Sequence, residues 1–263
     1  MGRKWLRQSS RWIVLAAGVA AWQAWATQAD SSFFPPPLRI FDRMYQLWFS
    51  GPAAHLFLTA DATGNILPSL GRVFAGLAIA VAIAFPLGIA LGRSRAVTDY
   101  LNPLLQFARA LPVVTLAPVF FALFKLGTQM EIATIVFGTL WPILLNTIDG
   151  AASVDPVQLE TARAFRFSRW ERLTRVIVPS ALPRVFAGFR LSLSLSLILM
   201  VFSELVGSTD GIGYEMNDAS NSFDIPLLWS TIVLLGILGY LLNAALSGAE
   251  RRVLAWHSAS RRD

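Results

Sequence analysis

LETARAFRFSRWERLTRVIVPSALP, residues 159–183, interrupts two long apolar runs with a polar, arginine-rich segment. Arginine recurs every third residue from Arg163 to Arg175, and Phe165, Phe167 and Trp170 are set between the charges. On either side lie residues 132–148 and 185–206, each long enough to cross the hydrocarbon core of a bilayer. A basic loop between two apolar spans is the repeating unit of a multi-pass membrane protein.

The remaining sequence agrees. Fifty-five percent of its 263 residues are hydrophobic and 14% charged, more apolar surface than a soluble domain of this size could cover. Cysteine is absent, and His55 and His257 are too isolated to suggest a metal site. The net charge of +6 is divided into short blocks between apolar runs, a pattern of membrane loops and not of a nucleic-acid surface. Six runs qualify as spans: 12–26, 73–91, 104–124, 132–148, 185–206 and 225–246. The first ends in the A-x-A-like Ala24-Trp25-Ala26, which also suits a cleaved signal peptide. Trp22 and Trp25 fit an interfacial belt better, so a retained helix is expected. With the N-terminus inside, the cytoplasmic segments 1–11, 93–101, 149–184 and 250–263 carry four, two, six and four Lys or Arg. The other side carries only Arg39, Arg43 and Lys125. An all-α integral membrane protein with six transmembrane helices, N-in and C-in, is therefore expected.

Between the first two spans, Pro35-Pro36-Pro37 precedes the helical stripe Leu38, Phe41, Met44, Tyr45 and Trp48, and Gly51-Pro52 ends it. This predicts an interfacial amphipathic helix. The expected organisation is an N-terminal region, 1–66, with one span and this segment; a core, 67–256, containing the loop 150–183; and a tail, 257–263.

The loop resembles the "EAA" loop of ABC importer permeases, E-A-A-x3-G-x9-I-x-L-P. Glu160, Ala162, Val176, Val178 and Pro179 fall in register, Thr161 replaces an alanine, and Arg166 stands where the family usually has glycine. A glycine turns with positive φ cheaply, whereas arginine loses about 1 kcal/mol there. Further stretches, SLGRVFAG (69–76), PLLQFARALPVVTLAPVFF (103–121), PILLNTIDG (142–150) and SELVGSTDGIGYEM (203–216), extend the resemblance to the nitrate/sulfonate/taurine importer group. The resemblance implies the type I ABC importer permease fold and a location in the bacterial inner membrane. It also implies a second copy of the chain, a cytoplasmic ABC ATPase dimer docked on the loop, and an external, periplasmic solute-binding protein. Glu160, Thr161, Ala162, Phe165, Arg166, Phe167, Trp170 and Pro179 would form the ATPase contact. Glu160 is expected in an early helical turn, where it can cap or accept a hydrogen bond, and Pro179 and Pro183 are expected to stop the loop before the next span.

Candidate path residues lie elsewhere. Pro112 and Pro118 would break the third span, exposing Val114 and Thr115 to the path, or kink it for packing. Gly188, Ser192, Ser196, Ser203 and Gly207 share one face of the fifth span, and Gly236, Gly239, Asn243 and Ser247 cluster on the sixth. Tight packing is the leading expectation for both, with a hydroxyl-lined pore as the alternative. Of the ionisable residues in or beside spans, Arg72 and Glu204 are expected to pair, Arg109 is open to an anionic cargo, and Arg190 is expected to snorkel.

No phosphate-cradling G-x-x-x-x-G-K-[ST] loop, G-x-S-x-G elbow or H-E-x-x-H helix occurs, so neither a cofactor nor enzymatic activity is expected of this chain. The cargo implied is a small organic or inorganic anion, or a small vitamin-like molecule. A secondary transporter is the rival reading. It needs an ion site near mid-bilayer, for which only the off-centre Glu204 is available.

Overall fold

A computed structural model of the protein describes residues 2–29 and 31–255; the tail 257–263 lies outside the described residues. The described chain is helical throughout: α1 (Gly2–Ala29), α2 (Pro37–Met44), α3 (Leu67–Gly92), α4 (Arg95–Ala110), α5 (Ala117–Phe124), α6 (Thr128–Ala152), α7 (Pro156–Ala164), α8 (Arg169–Arg172), α9 (Val178–Gly207), α10 (Ile212–Asn221) and α11 (Ile225–Val253). Two π-helical turns lengthen the rods, joining Ala62–Gly92 and Arg169–Gly207 into continuous helices. Among the described residues, four helices are long and apolar enough to cross a membrane: these two, α6 and α11. The bent pair α4/α5 makes a fifth if it counts as one span. The expected first crossing is helical as α1, but Gln23, Thr27 and Gln28 dilute its apolar run and it does not qualify by composition.

The third span breaks at Pro112, as expected, and two further expectations about prolines are corrected. Residues 104–124 are not one rod: α4 ends at Leu111-Pro112, and a 3-10 turn, Val113–Leu116, leads into α5 at 79° to α4. Leu111 and Pro112 are both extended, as the restriction on a residue preceding proline demands. Pro118 breaks nothing. It occupies the first turn of α5, where a missing N–H is harmless. Nor do Pro179 and Pro183 stop a loop, because the helix from Arg169 passes through a π turn and continues as α9 with Pro183 inside it.

The chain forms two compact units. The first comprises residues 1–68 and 210–236. Here the buried face of α2 and its π-helical extension is Ile40, Met44 and Trp48, spaced four apart, while Leu38, Phe41 and Tyr45 of the expected stripe are exposed. Long-range bonds hold this unit: Arg43 to Asp224 at 2.7 Å, the Trp48 indole N–H to Glu215 at 3.3 Å, and the Gly211 N–H to Asn65 at 3.0 Å. Burial pushes Glu215 up from the usual carboxylate range to about 7, despite the bond from Trp48. Gly236, expected to pack, borders open space.

The second unit comprises residues 69–209 and 237–263, and its frame is α3, α6 and α9. Ala80 and Ala84 of α3 meet Ile143, Leu144 and Ile148 of α6. Close approach requires small residues here: a Cβ at Gly88 would lie 2.5 Å from the Thr147 Cβ, and one at Gly188 2.6 Å from the Pro142 carbonyl. Ser192 donates to the Thr139 carbonyl at 2.7 Å, joining α9 to α6.

Candidate functional site

The 153–177 segment is a helical knob at one end of α9. Asp155 caps α7, accepting from the Val157 N–H at 2.9 Å, so Glu160 is not the cap; it stands exposed in the middle of the helix. Arg166 ends α7 with φ 54°, in the left-handed region. Its N–H bonds the Arg163 carbonyl and the Phe167 N–H bonds the Ala162 carbonyl, both at 2.9 Å, which together form a Schellman motif. The turn that glycine would make is thus made by arginine. A capping box follows: Ser168 accepts from the Glu171 N–H at 3.2 Å, and Glu171 accepts from the Ser168 N–H at 2.9 Å. The Ser168 N–H first, and then the Ser168 hydroxyl, hold the Glu171 carboxyl below its usual range.

The base of the knob is fixed and its tip is open. Ile177 and Ala181 pack against Ile89, Ala151 and Val154, and Ala162 is buried. At the tip Phe165 is 74% exposed, Trp170 70% and Val157 65%. Phe167 is half-buried, with the Arg175 guanidinium 5.9 Å above its ring. Thr161 is exposed, spending its hydroxyl on the Val157 carbonyl at 2.8 Å. Pro179 and Ala162 border a groove of about 480 Å³ with Val157, Phe165 and Arg175.

The opposite end of α9 is closed by charge. Glu204 accepts from Arg72 at 2.7 Å and from the Ser69 hydroxyl at 2.8 and 2.9 Å, the pairing expected of Arg72 and Glu204. Glu131 of α6 approaches the same guanidinium at 2.5 Å and is fully buried; sequence reasoning missed it, although a lone acid heads an apolar span there. Toward the loop end, Arg190 forms an ion pair with Glu250 where snorkelling was expected.

Of the candidate path residues, Arg109 and Pro112 line a cleft of about 670 Å³ below the α4/α5 bend, together with Trp141, Asn146 and Asp149. Those three were missed, though Asn146 and Asp149 are polar breaks in an apolar span. The Trp141 indole N–H is buried with no acceptor among the described residues. Val114 and Thr115 are exposed on the 3-10 turn and Pro118 on α5, but they do not line the cleft. Ser192 and Ser196 are fully buried and bonded to backbone carbonyls.

Residues 82–254 match the family described as binding-protein-dependent transport system inner membrane component. The chain belongs to this family. It is an ABC importer permease, a multi-pass protein of the inner membrane. The taurine transport system permease protein TauC of Escherichia coli is 29% identical, over 97% of this chain and 94% of the relative. The putative aliphatic sulfonates transport permease protein SsuC of Bacillus subtilis is 30% identical over 78% and 74%. The nitrate import permease protein NrtB of Synechocystis is 28% identical over 92% and 88%. In fold, the permease is similar to a chain of the inward-facing MetNI methionine ABC transporter, with TM-score 0.62, 20% identity, and coverage of 72% of this chain and 94% of that one.

Proposed function

We propose that the permease works as a homodimer of six-span subunits, N-in and C-in, importing a small sulfonate-, taurine- or nitrate-like anion. A periplasmic binding protein delivers the cargo, and a separate ABC ATPase dimer in the cytoplasm supplies the energy. The single observation that carries this reading is the knob: Phe165 and Trp170 are displayed, uncovered, at the head of a continuous 39-residue helix. At 1.5 Å per residue that helix is roughly 58 Å long, about twice the hydrocarbon core, so its knob end projects well beyond the bilayer. Exposed aromatics among arginines on a rigid turn suit a protein partner. The knob, Glu160 to Pro179, is the ATPase contact, and its movement rotates α6 and α9 as one body to open and close the path. Arg109 at the α4/α5 bend draws the anion, and Trp141 offers it an N–H donor. The names of the relatives support the anion class; a small vitamin-like cargo is the broader alternative. Ion-coupled transport without an ATPase is not favoured, because Glu204 is engaged by Arg72 and Ser69.

The test reverses a charge at the contact. Glu160→Lys is expected to insert and fold normally, yet to lose co-purification with the ATPase and to abolish uptake, while a reporter fused after Arg172 still reads cytoplasmic. An intact complex with normal uptake, or an external reading at Arg172, overturns the proposal.

A further inference from the structure

A second cavity lies in the same unit, on a face that the transport reading does not use. It holds about 1010 Å³ between α3, α6, α9 and α11. Its walls are hydrocarbon throughout: Phe74 and Phe85 of α3, Ile143 of α6, Phe186 and Phe189 of α9, and Leu246 of α11 among them. A void of this character offers water no partners and stays dry. In a membrane the molecules that fill such a space are acyl chains.

What distinguishes it from an ordinary lipid-facing crevice is its charged rim. The lining stripe of α11, Leu242, Ala245, Leu246 and Ala249, continues by helical spacing to Arg252, with Arg251 beside it, and both arginines are exposed. Across the cleft, the α9 stripe from Leu193 back to Leu182 runs beside Arg184, also exposed. The Arg190–Glu250 ion pair ties α9 to α11 at this end and occupies Glu250, and Arg184 donates to the Asp149 carbonyl, which leaves Arg251 and Arg252 exposed on the rim. An apolar slot between spans beneath a cluster of arginines matches the two halves of one molecule, an anionic phospholipid.

We infer that this cleft is a binding site for an anionic phospholipid, with acyl chains between α3, α9 and α11 and the phosphate at Arg251 and Arg252. The lipid would brace α11 against α3 and α9, adding to the Arg190–Glu250 ion pair.

The test uses the full chain in detergent, titrated with phosphatidylglycerol and with phosphatidylcholine of identical chains, and retained lipid is read by native mass spectrometry. Phosphatidylglycerol is expected to be retained roughly tenfold better, since each arginine near an anionic headgroup contributes severalfold. Replacing both rim arginines, Arg251→Gln with Arg252→Gln, should bring it to the phosphatidylcholine level. Filling the slot, Ala82→Leu with Ala245→Leu, should lower retention of both lipids. The rim variants are on the surface and keep the test decisive if the filled variant fails to fold. Equal retention of the two lipids by the unmodified chain, or undiminished preference in the rim variants, overturns the inference. So does cross-linking of two copies through Ala245→Cys in this cysteine-free chain, which would put a second copy in the cleft.

Discussion

At one end of α9, Glu204 is locked to Ser69 and Arg72, with Glu131 closing the other side of the guanidinium and nothing ionisable left in contact with solvent. At the other end, about 51 Å along the continuous helix to Trp170 at 1.5 Å per residue, Phe165 and Trp170 stand open above a turn held by its own backbone and a capping box. The closed end satisfies its polar groups internally, which fixes α3, α6 and α9 relative to one another. The open end leaves apolar area uncovered, the kind of surface that marks an interaction site. One helix therefore carries a fixed anchor and an exposed apolar tip; in the proposed mechanism, a push on the tip moves the anchor as a body.

The largest effect expected from this contrast is at the anchor. Arg72→Ala removes the cation shared by two buried carboxylates, a loss of about 3–5 kcal/mol. The expected outcome is failure to recover monodisperse protein from detergent, checked by size-exclusion chromatography, whereas neutralising all three with Arg72→Met, Glu131→Gln and Glu204→Gln should recover much of the yield. A stable Arg72→Ala single variant would mean the anchor is dispensable.

At the open end the sign of the comparison reverses. Trp170→Ala should leave the melting temperature of the isolated permease unchanged, because the ring is 70% exposed. It should weaken the ATPase complex by about 2 kcal/mol, roughly thirtyfold in Kd. A drop in intrinsic stability with normal complex affinity would show that the ring packs internally.

Both ends were legible in sequence to different depths. The knob was readable because its spacing is dense with constraint: Glu160, Ala162 and Pro179 in register, and aromatics between arginines. The Arg72–Glu204 pair was readable because a charge inside a span demands a partner. Glu131 was not, since an acid at the start of a span looks like a loop residue until α6 is seen to begin at Thr128. The amphipathic stripe divides: Met44 and Trp48 are buried with Ile40, while Leu38, Phe41 and Tyr45 stay exposed. Leu38, Phe41 and Tyr45 are as apolar as Ile40, Met44 and Trp48, and with both faces apolar, periodicity alone cannot choose the one that packs. The bend at Pro112 was foreseen and its equivalent at Pro118 was not needed, because a proline's consequence depends on which turn of a helix it enters.

A third buried carboxylate, in the other unit, sharpens the same contrast by lacking a cation at hydrogen-bonding distance. Glu215 accepts only from the Trp48 indole, and burial raises it to about 7. A carboxyl raised in the folded state binds its proton more tightly there than when unfolded. Stability is therefore fully present below the unfolded value of about 4.5 and declines as pH rises toward 7. Allowing for its partial exposure, the decline is on the order of 2 kcal/mol. Glu215→Gln should flatten the dependence when melting is followed from pH 5 to 8, and a wild-type protein equally stable across that range would remove the basis for it.

The smallest effect, and the most specific to the open end, is at Arg166. Its φ of 54° puts a β-carbon where only glycine is at ease, yet both Schellman bonds are made. The strain is stored in the backbone and not relieved by a different turn. Arg166→Gly should therefore keep the geometry of the knob while removing strain. Its gain is at most about 1 kcal/mol, offset in part by the greater freedom of glycine in the unfolded chain. Arg166→Ala separates the two terms, because it retains the β-carbon and loses only the guanidinium. If Gly stabilises and Ala does not, measured as melting temperature in detergent, the arginine is tolerated against its backbone preference. If ATPase binding falls equally in both, the guanidinium is itself part of the interface, and the strained turn is how the chain holds that charge toward its partner.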